Sequence, residues 1–165
     1  MAVILKLFYW IVGVIAALFA ILFIAGQAGL LRSSPPAGLG VKDGRLKAPA
    51  TSPNSVSSQA DLYPDHPQRN YARIAPLAVQ GAPAAAMDRL ASIVQGMPGC
   101  VLVKREGSYL YAECSTRWLR FTDDLELWLD DPNHAVQVRS SSRLGEKDFG
   151  VNRTRVESIR AAFKG

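Results

Sequence analysis

The sequence predicts an α+β protein: an N-terminal transmembrane helix, then a small two-layer domain with a four-stranded, mainly antiparallel sheet and two helices. Three observations predict it. Residues 7–31 form one uninterrupted apolar run. Four segments between Val101 and Arg139 alternate apolar and polar side chains and are joined by short turns. Stretches with helical apolar spacing flank those segments on both sides.

The apolar run, LFYWIVGVIAALFAILFIAGQAGLL, is about 25 residues long, and roughly 20 in a helix span a bilayer core. Phe8, Tyr9 and Trp10 stand at one end, where aromatic rings favour the headgroup region. Lys6 and Arg32 bracket the run and can snorkel to opposite interfaces. A buried core helix is a poor reading, because the run is apolar all round. A cleaved signal peptide competes, with Ala25, Gly26 and Ala28 small enough for cleavage. Its apolar region is usually about 7–15 residues, so residues 1–32 read better as an uncleaved anchor facing the lipid through 7–31. Orientation is contested. Arg32, Lys42, Arg45 and Lys47 follow the helix and favour a cytoplasmic domain by the positive-inside count. A short basic N-terminus before one long apolar run is the signal-anchor layout, which places the domain on the exported, periplasmic side. We expect the exported orientation.

Residues 33–60 are rich in Pro, Ser, Gly and Ala, and bury too little surface to offset their ordering entropy alone. They read as a spacer, or as a non-regular strap if Ser52–Ser58 packs on the domain. The folded part is expected over 61–165. Met87, Leu90, Ala91 and Val94 make one helix face, with Pro83 at its start and Gly96 and Pro98 at its end. Strands follow around Val101–Val103 and Tyr109–Glu113, with a turn at Glu106-Gly107. A long third strand is expected from about Arg117 to Leu129. It would carry Leu119, Phe121, Leu125, Leu127 and Leu129 on one face, and Trp118, Arg120, Glu126 and Trp128 on the other. Asp131-Pro132-Asn133 turns the chain into a fourth strand at Val136–Val138. A final helix begins near Arg153, with Val156, Ile159 and Phe163 on one side.

The charge is +5, from 19 Lys+Arg against 14 Asp+Glu, and its distribution is uneven. Asp123, Asp124, Glu126, Asp130 and Asp131 form an acidic run, and the chain after it is basic. Asn152 suits an N-cap, with Val151 and Val156 as a hydrophobic staple. Arg153 and Arg155 then sit at the positive end of the helix dipole, at a cost of roughly 0.3–1 kcal/mol each. Something negative has to compensate. With Arg139 and Arg143 arriving from the strand, Arg153 would complete an anion-binding corner that also holds Ser140, Asp148, Asn152, Asp123 and Asp124. Internal Asp–Arg pairs are the competing reading.

Other chemistry is thin. Two cysteines make neither a disulfide scaffold nor a four-ligand zinc site. Cys100 and Cys114 lie at the outer ends of the hairpin. A three-residue loop would set them opposite one another for a disulfide, and a two-residue loop would put them on opposite faces. Two buried thiols are the commoner arrangement. His66 and His134 lack a nucleophile partner. Asn152-Arg153-Thr154 matches a glycosylation sequon, which a helix cap explains as well. No phosphate loop, dinucleotide fingerprint or metal-ligand spacing is present, so neither cofactor nor metal is expected. The mixed charge argues against nucleic acid.

Several motifs occur in one order: Ser52-Pro53-Asn54-Ser55-Val56-Ser57-Ser58, Ile74-Ala75-Pro76-Leu77, Tyr109-Leu110-Tyr111-Ala112-Glu113, Phe121-Thr122-Asp123-Asp124-Leu125-Glu126, and Val138-Arg139-Ser140-Ser141-Ser142-Arg143-Leu144-Gly145 through Asp148-Phe149-Gly150-Val151-Asn152-Arg153. In these the chain resembles the bacterial and plant family called domain of unknown function 1499, over about Gly40 to Phe163. The resemblance implies a membrane-anchored or exported protein and an ordered Ser52–Ser58 segment, and brings no activity. In that family cysteines usually flank the Ser-Pro-Asn motif; here Ser55 stands at the second position and the first has no counterpart. The expected function is a non-enzymatic, single-pass envelope protein that binds a protein partner or an anionic ligand through the arginine corner. The alternative is an enzyme of unknown reaction using Asp123, Asp124 and Asp148 beside those arginines. Carboxylates next to arginine are poor general acids, which weakens that alternative.

Overall fold

A computed structural model of the chain describes residues 1–164. Helix α1, Ala2–Gln27, is exposed along almost its whole length and is long and apolar enough to cross a membrane. It touches the domain at its C-terminal end. There Gly26 is buried against the Leu119 backbone, and a Cβ at Gly26 would lie 2.6 Å from the Leu119 carbonyl oxygen. The Gln27 side-chain amide donates to the Trp118 carbonyl at 3.0 Å.

The domain is an α+β sandwich of a sheet and helices, with six strands rather than the expected four. Strands β3 (Cys100–Glu106), β4 (Tyr109–Ser115), β5 (Thr122–Asp130) and β6 (Ala135–Ser142) form the expected antiparallel meander. Two short strands are added at its β6 edge: β1 (Ser55–Ser57) and β2 (Leu77–Ala78) both pair antiparallel with β6. Their three and two residues are too few for any alternation to register. Among the described residues the α-helices number four rather than three. Besides α1, α3 (Pro83–Gly96) and α4 (Val151–Lys164), a one-turn α2 (Arg69–Ala72) lies in the irregular segment.

Helices α3 and α4 cover one sheet face. Met87, Leu90, Ala91 and Val94 of α3 and Val156 and Ile159 of α4 pack on Leu110, Ala112, Leu125, Leu127, Val136 and Val138. These side chains share one parity along each strand, which is why alternation marks them. The third meander strand starts at Thr122 and not at Arg117. Residues 116–121 close a loop instead, held by the Phe121 amide on the Thr116 hydroxyl and by a left-handed Arg120 (φ 57°).

The hairpin resolves the cysteine question by an unforeseen device. Glu106 pairs with Tyr109, so the loop has two residues, which in a regular ladder would set the cysteines on opposite faces. A β-bulge between Leu102 and Lys104 inserts Val103 as an extra residue and shifts the parity. Cys100 then pairs directly with Cys114, and the two are joined by a disulfide rather than left as thiols.

Candidate functional site

The two neighbouring aspartates of β5 point to opposite faces of the sheet, and each organises one cluster. Asp124 and Glu126 share the face turned away from α3 and α4, with Tyr109, Tyr111 and Glu113 of β4 and Arg139 of β6. Segment 33–50 lies across this face, with Leu46 buried against Tyr109 and Tyr111. Backbone groups of the segment bind the sheet's charges. The Gly40 amide donates to Glu126 at 2.8 Å, and Arg139 donates to the Ala48 carbonyl at 3.3 Å. Arg143 donates to the Ser33 carbonyl at 2.5 Å. A segment too polar to build its own core is thus ordered by hydrogen bonds to buried charges, which are stronger than neutral ones.

Beneath the segment, Arg139 (3% exposed) pairs with Glu126 (0% exposed) at 3.2 Å. The Tyr109 hydroxyl donates to the same carboxylate at 2.8 Å. Arg143 binds Glu113 at 2.5 Å and Asp124 at 2.7 Å, and Tyr111 donates to Asp124 at 2.7 Å. Burial, with Glu126 beside Tyr109 and Asp124 beside Tyr111, pushes both phenols far above their ordinary range, so they stay protonated donors. Burial alone would weaken the charge on Arg143, but hydrogen bonds to Asp124 and Glu113 outweigh it and hold that guanidinium firmly charged.

On the helix-covered face, Asp123 binds Arg155 at 2.6 Å. Arg155 also donates to the Ser140 hydroxyl and the Asn152 side-chain oxygen. Asn152 is fully buried. Its amide nitrogen donates to the Asn54 carbonyl (3.0 Å), the Ser142 hydroxyl (2.9 Å) and the Asp148 carboxylate (2.9 Å), and its oxygen accepts from Ser140 at 2.6 Å. One amide therefore ties β6, α4 and the Ser-Pro-Asn segment together.

The start of α4 differs from expectation. The helix begins at Val151, so Asn152 lies inside its first turn and is not the N-cap. Asp148 supplies the capping carboxylate, accepting from the Gly150 and Asn152 backbone amides. Asp148 thus places a negative charge at the positive end of the helix, while Arg155 has its own carboxylate in Asp123. Burial would raise the Asp148 carboxyl, but hydrogen bonds from the Tyr71 hydroxyl, the Gly150 amide and Asn152 outweigh it and hold it below the usual carboxylate range. Complete burial of Asn152 also removes it as a glycosylation acceptor.

Arg139, Arg143 and Arg153 do not meet in one corner. The first two lie under segment 33–50. Arg153 projects toward α2 and donates to the Tyr71 and Arg73 carbonyls at 2.6 and 3.0 Å, at that helix's negative end. Arg153→Ala should cost about 1.5–3 kcal/mol, the worth of hydrogen bonds from a charged donor. Phosphate should leave its melting temperature and that of the parent unchanged in thermal scans; a phosphate-dependent rise in the parent alone would restore the anion corner.

Sequence reasoning passed over Tyr71, Asn54, Tyr109 and Tyr111 as network members. Only Tyr109 and Tyr111 carried a signal, the alternation that sets them on one face of β4 with Glu113. The segment from Asp148 to Val151 presents one further feature. Phe149 is 93% exposed and held at φ 51°, between the capped Asp148 and Gly150. It borders a groove of about 510 Å³ whose walls include Met97, Pro98, the disulfide, Val151 and Thr154.

Comparison with curated proteins and with solved structures gave no match. The family model described as a protein of unknown function, DUF1499, matches residues 45–163, which takes in β1 with its Ser-Pro-Asn lead, the whole meander and α4. The chain therefore belongs to the DUF1499 family, as a member whose folded domain follows an apolar helix suited to anchoring it in a membrane.

Proposed function

We propose that the protein is a single-pass, membrane-anchored and non-enzymatic binding module. Its domain stands on the exported side of a cell envelope and engages a protein partner through Phe149. The observation that carries this reading is Phe149 itself. A large aromatic side chain stands almost fully in water on a backbone conformation that costs a non-glycine residue about 1–3 kcal/mol. Asp148 and Asn152 hold the turn rigid, so the ring is presented without loss of backbone freedom on binding. An exposed, pre-ordered aromatic beside a groove of mixed polar and apolar lining can serve as the anchor of an interface with a polar surround.

The enzymatic alternative draws less support from the same geometry. Asp123 and Asp124 are each tied to an arginine and buried, and Asp148 is spent capping α4. The anionic-ligand version is weakened because Arg139 and Arg143 are consumed by carboxylates. The disulfide supports the exported side, since such bonds persist in oxidising compartments.

A photo-crosslinking phenylalanine analogue placed at position 149 in the full chain, irradiated in native membranes, is expected to give a discrete protein adduct that the same label at exposed Ser108 does not. Adducts of equal yield at both positions would sink the reading. Phe149→Gly should abolish capture without destabilising the domain, because glycine adopts positive φ freely and relieves the strain. A reporter active only in oxidising compartments, fused after Gly165, should be active, and a cytoplasm-only reporter silent.

A further inference from the structure

Three basic residues that enter none of the ion-pair networks described above lie together at the end of the domain that α1 joins. Arg32 follows α1, and Arg117 and Arg120 come from the loop between β4 and β5. All three line one groove of about 660 Å³ with Thr116 and Glu113. None of the three is ion-paired with a carboxylate among the described residues; Glu113, the acidic wall, is held by Arg143 at 2.5 Å. Arg117 stacks over the Trp118 ring at 5.3 Å, and Trp118 is 63% exposed.

This loop is fixed to α1. Besides the Gly26 contact and the Gln27 hydrogen bond, the Phe23 and Trp118 rings lie 6.2 Å apart. From Lys6 to Gln27 a helix rises about 31 Å at 1.5 Å per residue, close to the hydrocarbon thickness of about 30 Å. With Lys6 at one interface, Gln27 reaches the other. Trp118 then spans the boundary beside Phe23, and the three arginines sit at headgroup level. Aromatic rings and arginines at that depth match the two demands of an anionic lipid surface: an amphipathic ring for the boundary and cations for the phosphate. The left-handed Arg120 is consistent with a loop shaped for something other than its own stability.

We propose that Arg32, Arg117, Arg120 and Trp118 form a docking surface for anionic phospholipid headgroups, which holds the domain down on the bilayer that α1 enters. The proposal rests on the anchor reading above. It makes the loop that replaced the start of the expected long strand the contact between domain and lipid.

The test uses the full chain carrying Trp10→Phe and Trp128→Phe, so that Trp118 is the sole tryptophan emitter. The protein is reconstituted into phosphatidylcholine vesicles containing a minor fraction of phosphatidylglycerol. Bromine is carried on the acyl chains of one lipid or the other at equal mole fraction. A basic residue near an anionic surface prefers it roughly fivefold, so brominated phosphatidylglycerol is expected to quench Trp118 several-fold more per mole than brominated phosphatidylcholine. The preference should shrink with added salt. The variant R32Q/R117Q/R120Q should lose it, keep its quenching by brominated phosphatidylcholine and keep its melting temperature. Equal quenching per mole by both lipids in the parent overturns the docking surface while the anchor stands. No quenching by either lipid, with protein that fails to float with the vesicles, overturns the anchor and the docking surface together.

Discussion

Glu126→Ala is expected to lower unfolding free energy by about 3–5 kcal/mol, measured by denaturant titration in detergent. The substitution leaves Arg139, 3% exposed, without its carboxylate, and an uncompensated buried charge carries a penalty of that size. It also strips an acceptor from the Tyr109 hydroxyl and from the Gly40 amide. The loss should therefore reach segment 33–50, with faster amide exchange at Gly40 and Leu46 than in α3. Glu126→Met combined with Arg139→Met should recover most of the lost stability, because apolar replacement of both partners of a buried pair is often neutral. A single variant within about 0.5 kcal/mol of the parent would mean that the pair is solvated and that the segment does not close over it.

The same pair shows where the sequence was legible. Leu125 and Leu127 alternate on β5 as Val136 and Val138 do on β6, and all four share one face, so the apolar face could be read residue by residue. The opposite face carries Asp124, Glu126, Arg139 and Tyr111, which alternation marks as water-facing. It is buried because a segment with scarcely any large apolar side chain lies on it, held mainly through backbone hydrogen bonds. Hydrogen bonding by the backbone leaves no periodic trace in side-chain chemistry, so neither the covering segment nor β1 and β2 could be placed from pattern alone. The bulge at Val103 has the same character. A one-residue change in pairing inverts side-chain faces, and no residue type announces it. The start of α4 shows the opposite case. The conflict of Arg153 and Arg155 with the helix dipole was visible, and it correctly demanded a nearby anion. Asp148, four residues before Asn152, was named among the site residues but given another role. What remained hidden was the division of labour, since Asn and Asp both cap helices and only burial decides which one does.

That division gives the second large effect. Asn152→Asp keeps the side chain's size and its acceptor toward Ser140 and Arg155. It replaces the donor that faces the Asp148 carboxylate at 2.9 Å and the Asn54 carbonyl at 3.0 Å. Two buried carboxyls at that separation cannot both ionise, so the folded state keeps a shared proton well above the unfolded pKa of about 3.9. The parent behaves in the other direction. Its Asp148 lies below the usual range, so its contribution is fully present above about pH 4 and is lost as pH falls through the folded value. In the variant the folded state binds more protons than the unfolded state across the mildly acidic range. Stability should then fall as pH rises, by up to about 1.4 kcal/mol per pH unit for one proton. At pH 7 the expected loss is about 3–5 kcal/mol, with part of it returning toward pH 5. Asn152→Ala removes the same donor without adding a charge, so it should be destabilised with no slope in that range. Denaturant titrations of the three proteins at several pH values between 5 and 7 separate these outcomes. Parallel profiles for both variants would show that Asn152 acts by filling space rather than by donating to Asp148.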